Sequence, residues 1–420
     1  MTSPLERLPV EVCELILCDL DLAGYRNFRI ASRQLHLLSL STFSKRFFPR
    51  LTTTLGSPSL DRLVKISNHQ NLCDVVTRLD IKLLTHREYK LLTNIAKVGI
   101  YPPPKRFPVV STIKHEHIKG EATLYNDVLS RKYPQCIVDR LTRALHGFSN
   151  LKTIRFRTEY SEPAGWVPVD MPNGDQLFRA KCFTAVFDAI FKSEVQLEEF
   201  GMSKKKKTTG LFKRLNLHYP ALQFPFSSHP SLRHCFAHLQ SLDLSIITTH
   251  QGDIRVPGWE NGLSHFIMCA PALKSLALSL GRDKHVSEHS AVIVRSLALS
   301  CHLPLLERFH LVNSTLTEGY MTAFMARHRD SIHELIFKNC RMMYGTWMPF
   351  LKSLQDFDGL QCLRLSLQEG LGSPGIIWPK PKAKITLDVQ DSGRSMRDML
   401  ENVVAKHSAE ANNATADHGW

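Results

Sequence analysis

One apolar frame recurs along this chain and restricts its fold more than any other feature. The form L-x-x-L-x-L occurs at Leu151-Ile154-Phe156, Leu197-Phe200-Met202, Leu239-Leu242-Leu244, Leu273-Leu276-Leu278, Leu306-Phe309-Leu311, Ile332-Leu335-Phe337 and Leu360-Leu363-Leu365. The last two positions of each frame lie two residues apart, so an extended strand points both to one side. Helical stretches stand between the frames. FTAVFDAIF at 183 to 191 precedes the Leu197 frame, and MTAFMARHRDS precedes the Ile332 frame. Alternation of strand and helix predicts an α/β chain in which short strands form a parallel ladder and the helices cover its apolar side.

Successive frames start 46, 42, 34, 33, 26 and 28 residues apart. Most of these intervals exceed the roughly 20–29 residues of leucine-rich repeats. The pattern therefore reads as a degenerate leucine-rich-repeat solenoid over residues 58–400. Cys340 stands where that repeat type has Asn or Cys, and Val76-Leu79-Ile81, preceded by a helical-looking Leu60 to Val75, reads as a first unit. YPPPKRFP (101 to 108), EPAGWVPVDMPNGD (162 to 175) and about 203 to 235 are expected to be loops, because their prolines and polar residues interrupt both periodicities. The tail from 405 to 420 has too little apolar content to pack and is expected to be disordered.

The residues between frame leucines should face away from the core. They include Asp243 and a basic set of Arg155, Arg157, Arg308, His310, Lys338 and Arg364, which suggests an acidic or phosphorylated target held by arginine forks. A solvated sheet face is the plainer alternative.

The first fifty residues carry a different pattern. Leu8-Pro9 fits a helix start with Glu11 near its positive end, and that helix should reach about Leu20. At about 100° per residue, Val12, Leu15, Ile16, Leu17 and Leu20 spread around most of its circumference. After a break at Asp21 to Gly24, Tyr25, Phe28, Ser32 and Leu35 fall on one side of a second helix, and a third apolar cluster follows at Leu37 to Phe48. Three helices of this length bury little alone, so the surplus apolar face implies a partner.

Leu8-Pro9-x-Glu11, Leu15-Ile16-Leu17, Leu20 and Ser32-Arg33 with Leu35, in this order, resemble the F-box. Together with the repeats, the chain is similar to fungal-type F-box proteins with degenerate leucine-rich repeats. The similarity covers residues 5–48. It implies that Leu8, Pro9, Glu11, Leu15, Ile16, Leu17, Leu20, Tyr25, Phe28, Ser32 and Arg33 form a surface for the Skp adaptor and, through it, a cullin. It also implies a substrate-recognition subunit of a ubiquitin ligase, holding an unknown protein target on the repeats. Gly24-Tyr25 departs from the acidic-leucine pair often found at the head of the second helix, which should weaken that helix start. A non-degradative scaffold and a nucleic-acid binder are the alternatives.

Charge and chemistry narrow the choice. The net charge of +14 is largely dispersed, apart from the run Lys204 to Lys207, which fits either a solvated loop or a nuclear-import signal. Dispersion argues against nucleic acid. No apolar run reaches the ~18 residues of a membrane span. Ten cysteines without paired spacings and an opening without signal-peptide features point to a reducing compartment, cytoplasmic or nuclear; Asn313-Ser314-Thr315 and Asn413-Ala414-Thr415 are then chance sequons. Gly370-x-Gly372-x-x-Gly375 matches a dinucleotide fingerprint formally, but Pro374, Pro379 and Pro381 forbid the helix that would hold a pyrophosphate. His115-Glu116-His117 and Cys235 with His238 lack the spacing of a zinc site. No metal, cofactor or catalytic motif is expected, and the chain reads as a binding protein and not an enzyme.

Overall fold

A computed structural model describes residues 4–83, 119–121, 123–124, 127–128, 134–157, 173–202, 217–224, 229–248, 257–280, 289–367 and 383–416. The fold is mixed α/β, and its strands pair mainly in parallel. Contacts divide it into two compact units, Met1–Glu159 with Ala185–Val195, and Tyr160–Thr184 with Gln196–Trp420.

The first unit begins with helices α1 (Val10–Asp19), α2 (Leu22–Ala31) and α3 (Arg33–Phe47). α3 packs against both of the others. Its Phe43 and Phe47 surround Tyr25 at ring distances of 5.6 and 5.2 Å. Arg46 of α3 donates to the carbonyls of Leu17 and Cys18 at 2.7 and 2.8 Å, so a cation satisfies acceptors that the end of α1 leaves open.

Two local expectations change here. The break between α1 and α2 is shorter than Asp21 to Gly24, because the Asp21 carboxylate accepts from the Gly24 N–H at 2.7 Å and starts α2 at Leu22. A capping side chain offsets the weak start that glycine alone would give. Ser32 and Leu35 do not continue α2. Ser32 is extended (φ −159, ψ 160) and its hydroxyl accepts from the Leu35 N–H at 3.2 Å, so it caps α3.

β1 (Arg50–Thr53), α4 (Ser57–Ser67), β2 (Arg78–Lys82), α5 (Gln135–His146) and β3 (Thr153–Arg157) complete this unit. The strands run parallel in the order β1, β2, β3, with Leu51, Leu79 and Ile154 in register. β1 was not legible as a frame, because Thr53 stands where the others carry an apolar residue.

Helix α6 (Asn173–Ser193) contributes residues to both units; its first residues, 173 to 175, are helical where the sequence leads one to expect a loop. The second unit contains β4 (Glu199–Met202), β5 (Leu217–His218), α7 (His229–Cys235), β6 (Ser241–Ile247), α8 (Asn261–Met268), β7 (Ser275–Ser279), α9 (His289–Ser300) and β8 (Arg308–Val312). It continues with β9 (Thr315–Thr317), α10 (Glu318–Arg327), β10 (Glu334–Tyr344), α11 (Trp347–Ser353), β11 (Cys362–Leu367), β12 (Ala383–Asp388), α12 (Val389–Ser392) and α13 (Met396–Ala416). β4, β6, β7, β8, β10 and β11 are neighbours in that order and all parallel, and β12 closes the series antiparallel to β11.

Every frame residue named from the sequence is buried. The frames also share a backbone device. The carbonyl at a frame's second position accepts two N–H groups from the second and third positions of the next: Gln240 from Lys274 and Ser275, Lys274 from Glu307 and Arg308, Glu307 from His333 and Glu334, His333 from Gln361 and Cys362. In the first unit Pro49 and Thr77 accept in the same way. Unequal intervals therefore converge on equivalent strands. Helices cover the leucine side, with Phe309 5.3 Å from Phe324 of α10 and Phe337 5.7 Å from Trp347 of α11.

The stretch from 203 to 235 is not all loop: Leu217, Tyr219, Leu222 and Leu232 are buried on β5, a short 3-10 turn and α7. Likewise α13 continues past 405 as far as Ala416, where Ala409, Ala411, Ala414 and Ala416 supply strong helix propensity. The expected loop at 101 to 108, most of the expected loop at 162 to 175, His115 to His117, Lys204 to Lys207 and the Gly370 to Gly375 run lie outside the described residues.

Candidate docking surfaces

α1 presents apolar residues on two sides. Cys13, Leu17 and Leu20 share the stripe that faces α3, and Cys13 and Leu17 are fully buried. From Cys13, Ile16 lies about 60°, Val12 about 100° and Leu15 about 160° around the helix, given 100° per residue, and all three are exposed, Leu15 at 70% and Ile16 at 36%. Pro9, Glu11 and Arg33 are also exposed, while Leu8, Leu20 and Phe28 are half-buried.

Leu17 and Tyr25 need correction as adaptor-contacting residues. Both are sealed inside the three helices, Leu17 because it shares the Cys13 side of α1 and Tyr25 because two phenylalanine rings enclose it. Burial raises the Tyr25 phenol above its ordinary pKa, a shift that the nearby Arg46 opposes. Ser32 holds a helix end, so its hydroxyl serves the fold. Sequence reasoning missed Leu5, Val10, Leu22, Ile30 and Leu37 as exposed apolar residues; Ile30 is 82% exposed and Leu37 70%. The signal was available for Ile30, which lies off the Tyr25 and Phe28 side of α2.

The expected target-binding residues fall in both units. Arg155 and Arg157 belong to the first unit, and Arg308, His310, Lys338 and Arg364 to the second. In the second unit the strand face opposite the leucines is charge-balanced. Glu199, Asp243, Glu334 and Asp388 stand against Arg308, Lys338, Arg364 and Lys384. Glu334 lies 3.5 Å from His310 Nε2, and Asp388 3.8 Å from Arg364.

The first unit differs. Among the described residues, the strand face opposite its leucines carries Arg50, Arg78, Lys82, Arg155 and Arg157 with one acid, Asp80. The Asp80 side chain is only 6% exposed. Arg78 donates to its two oxygens from Nε at 2.8 Å and Nη2 at 3.2 Å, and Arg157 donates from Nη1 at 3.1 Å. Arg50, Arg78 and Asp80 were not singled out in the sequence, because β1 was not recognised and the sign of a strand face emerges only when register is known.

Among the described residues, no group of three or more His, Cys, Asp or Glu side chains is placed to hold a metal ion. None of their helices is long and apolar enough to cross a membrane. What these surfaces define is a protein with a ladder of parallel strands and an apolar helical face open to solvent. No protein-family model matches the chain, and no curated protein matches it.

Proposed function

We propose that this chain is a substrate-recognition subunit of a Skp-cullin-F-box ubiquitin ligase, docking through its amino-terminal helices and holding a target protein on its strand ladder. The observation that carries this reading is the exposure of Leu15 and Ile16 on a helix whose Cys13 and Leu17 stripe is already buried. Large apolar side chains contribute on the order of 1.5–3 kcal/mol each when covered, so an adaptor that covers several gains a stable interface. The order of Leu8-Pro9, Leu15-Ile16-Leu17 and Ser32-Arg33 supports the F-box assignment, and the repeated frames with Cys340 support a degenerate leucine-rich-repeat solenoid. Cys340 Sγ lies 3.4 Å from the Leu311 carbonyl of the preceding frame, a bond suited to that repeat position. The receptor itself performs no chemistry; it raises the local concentration of target lysines beside a conjugating enzyme.

Co-purification of the wild type and a Leu15→Asp/Ile16→Asp variant tests this. The wild type retains adaptor and cullin, and the variant loses both while keeping its thermal stability, because both residues are exposed. Equal recovery from the two forms, or capture by neither, overturns the assignment. Adaptor without cullin favours the non-degradative scaffold.

A further inference from the structure

The end of α2 is tied to α3 through a histidine that must be uncharged to make the bond. Arg29 Nη2 lies 3.1 Å from His36 Nε2. A guanidinium has only donors, so Nε2 accepts and the imidazole carries its hydrogen on Nδ1. The same guanidinium covers the Phe43 ring at 4.0 Å, so Arg29 grips α3 at two points. Arg29 is half-buried; burial lowers its pKa, a shift that Tyr25 one turn earlier opposes. Its Nε is buried and makes no hydrogen bond among the described residues. His36 thus supplies the one acceptor that a partly desolvated cation has. Of the elements packed on α3, α2 brings Arg26 and Tyr25 beside Arg29, α1 brings Glu14 to Thr42, and a 3-10 turn at Pro4–Arg7 brings Glu6 and Arg7. α3 itself adds Arg33. A proton on Nε2 would remove the acceptor and leave two cations 3.1 Å apart, where they repel.

We propose that the α2–α3 junction is a proton-sensitive latch: uncharged His36 holds Arg29, and a proton on His36 releases it, loosening the end of α2 and weakening docking of the helical face. The latch does not depend on what the partner is; its effect on docking rests on the receptor reading above. Histidine is the side chain whose charge ordinarily changes between pH 5 and 8. Ile30 and Leu37 directly follow the two latched residues and are exposed, so release acts on apolar side chains that a partner would cover. The earlier part of α2 is held differently, by Tyr25 against Phe43 and Phe47. Those aromatic contacts carry no charge that mild acid changes. Loosening is therefore confined to the last turn of α2, and docking is stronger at neutral pH than in mild acid.

The test measures hydrogen-exchange protection factors of residues 28 to 31 in the full chain, together with adaptor retention, at pH 7.5 and 5.5. Protection in the wild type should fall at least threefold in acid, and retention should fall with it. His36→Gln keeps an acceptor for Arg29 at either pH, so both readouts should stay level. His36→Arg carries a permanent charge and should show low protection at both. Because His36 is exposed, neither substitution disturbs the packed interior. Leu15→Asp/Ile16→Asp should lose the adaptor yet keep the acid-induced fall in protection, which separates failure of docking from failure of the latch. Level protection in the wild type, or an equal fall in His36→Gln, overturns the latch. A fall in protection with retention unchanged overturns its effect on docking. A fall in protection with no adaptor captured at either pH supports the latch and overturns the receptor reading instead.

Discussion

His328 is 2% exposed and engaged at both ring nitrogens. The Leu303 N–H points at Nε2 at 3.0 Å, so that nitrogen must accept, and Nδ1–H therefore donates to the Phe324 carbonyl at 2.7 Å. Burial holds its pKa below the ordinary histidine value; the bond to Phe324 opposes that shift, and Arg327 and His302 add to it. The unfolded chain takes up this proton near pH 6.5 while the folded chain resists it. Stability is therefore complete above about pH 6.5 and declines as pH falls toward the depressed folded value. Urea unfolding at pH 7.5 and 5.5 should show a lower midpoint in acid, and His328→Phe should flatten that difference. At pH 7.5 the same variant should cost about 1–3 kcal/mol, since it leaves the Leu303 N–H without its acceptor. Nothing in HRDSIHEL marks this histidine as buried; only the packing of one helix end on the preceding turn does so.

A helix with two apolar sides separates stability from binding. Leu17→Ala should destabilise the amino-terminal helices by about 2–5 kcal/mol, because it opens a cavity beneath α3. Leu15→Ala should stay within about 0.5 kcal/mol of the wild type while weakening adaptor retention. Thermal unfolding and co-purification of the two variants read these effects independently, and equal destabilisation would contradict the two-sided geometry. The sequence shows that α1 has too many apolar residues for one face, since spacing of 3.6 per turn is a property of the chain itself. Which side turns inward depends on α3, and so Leu17 and Leu15, adjacent in the same run, could not be told apart.

At the scale of the ladder, hydrophobic spacing revealed the frames because leucine burial on alternating positions is local. Charge did not follow so simply. Arg155, Arg308 and Arg364 look alike in sequence, yet the acids that stand beside Arg308 and Arg364, Glu334 and Asp388, come from neighbouring strands, and those neighbours are set by topology. The carboxy-terminal closure was also not legible, because β12 carries no frame. It pairs antiparallel with β11 through six registered positions, and Met396 and Leu400 of α13 are buried nearby. A chain ending at Leu367 would leave β11 as an uncovered edge, which favours intermolecular pairing. Size-exclusion chromatography should then show aggregates where the full chain runs as a discrete species.

The shared backbone bond at the second position of most frames fixes where one strand meets the next, whatever the length between them. Codons can therefore be gained or lost in the intervening segments with little penalty, whereas deletion of a single codon within a strand would turn its leucines outward. Drift in this lineage should accumulate as length polymorphism between frames, leaving the phase of each frame intact.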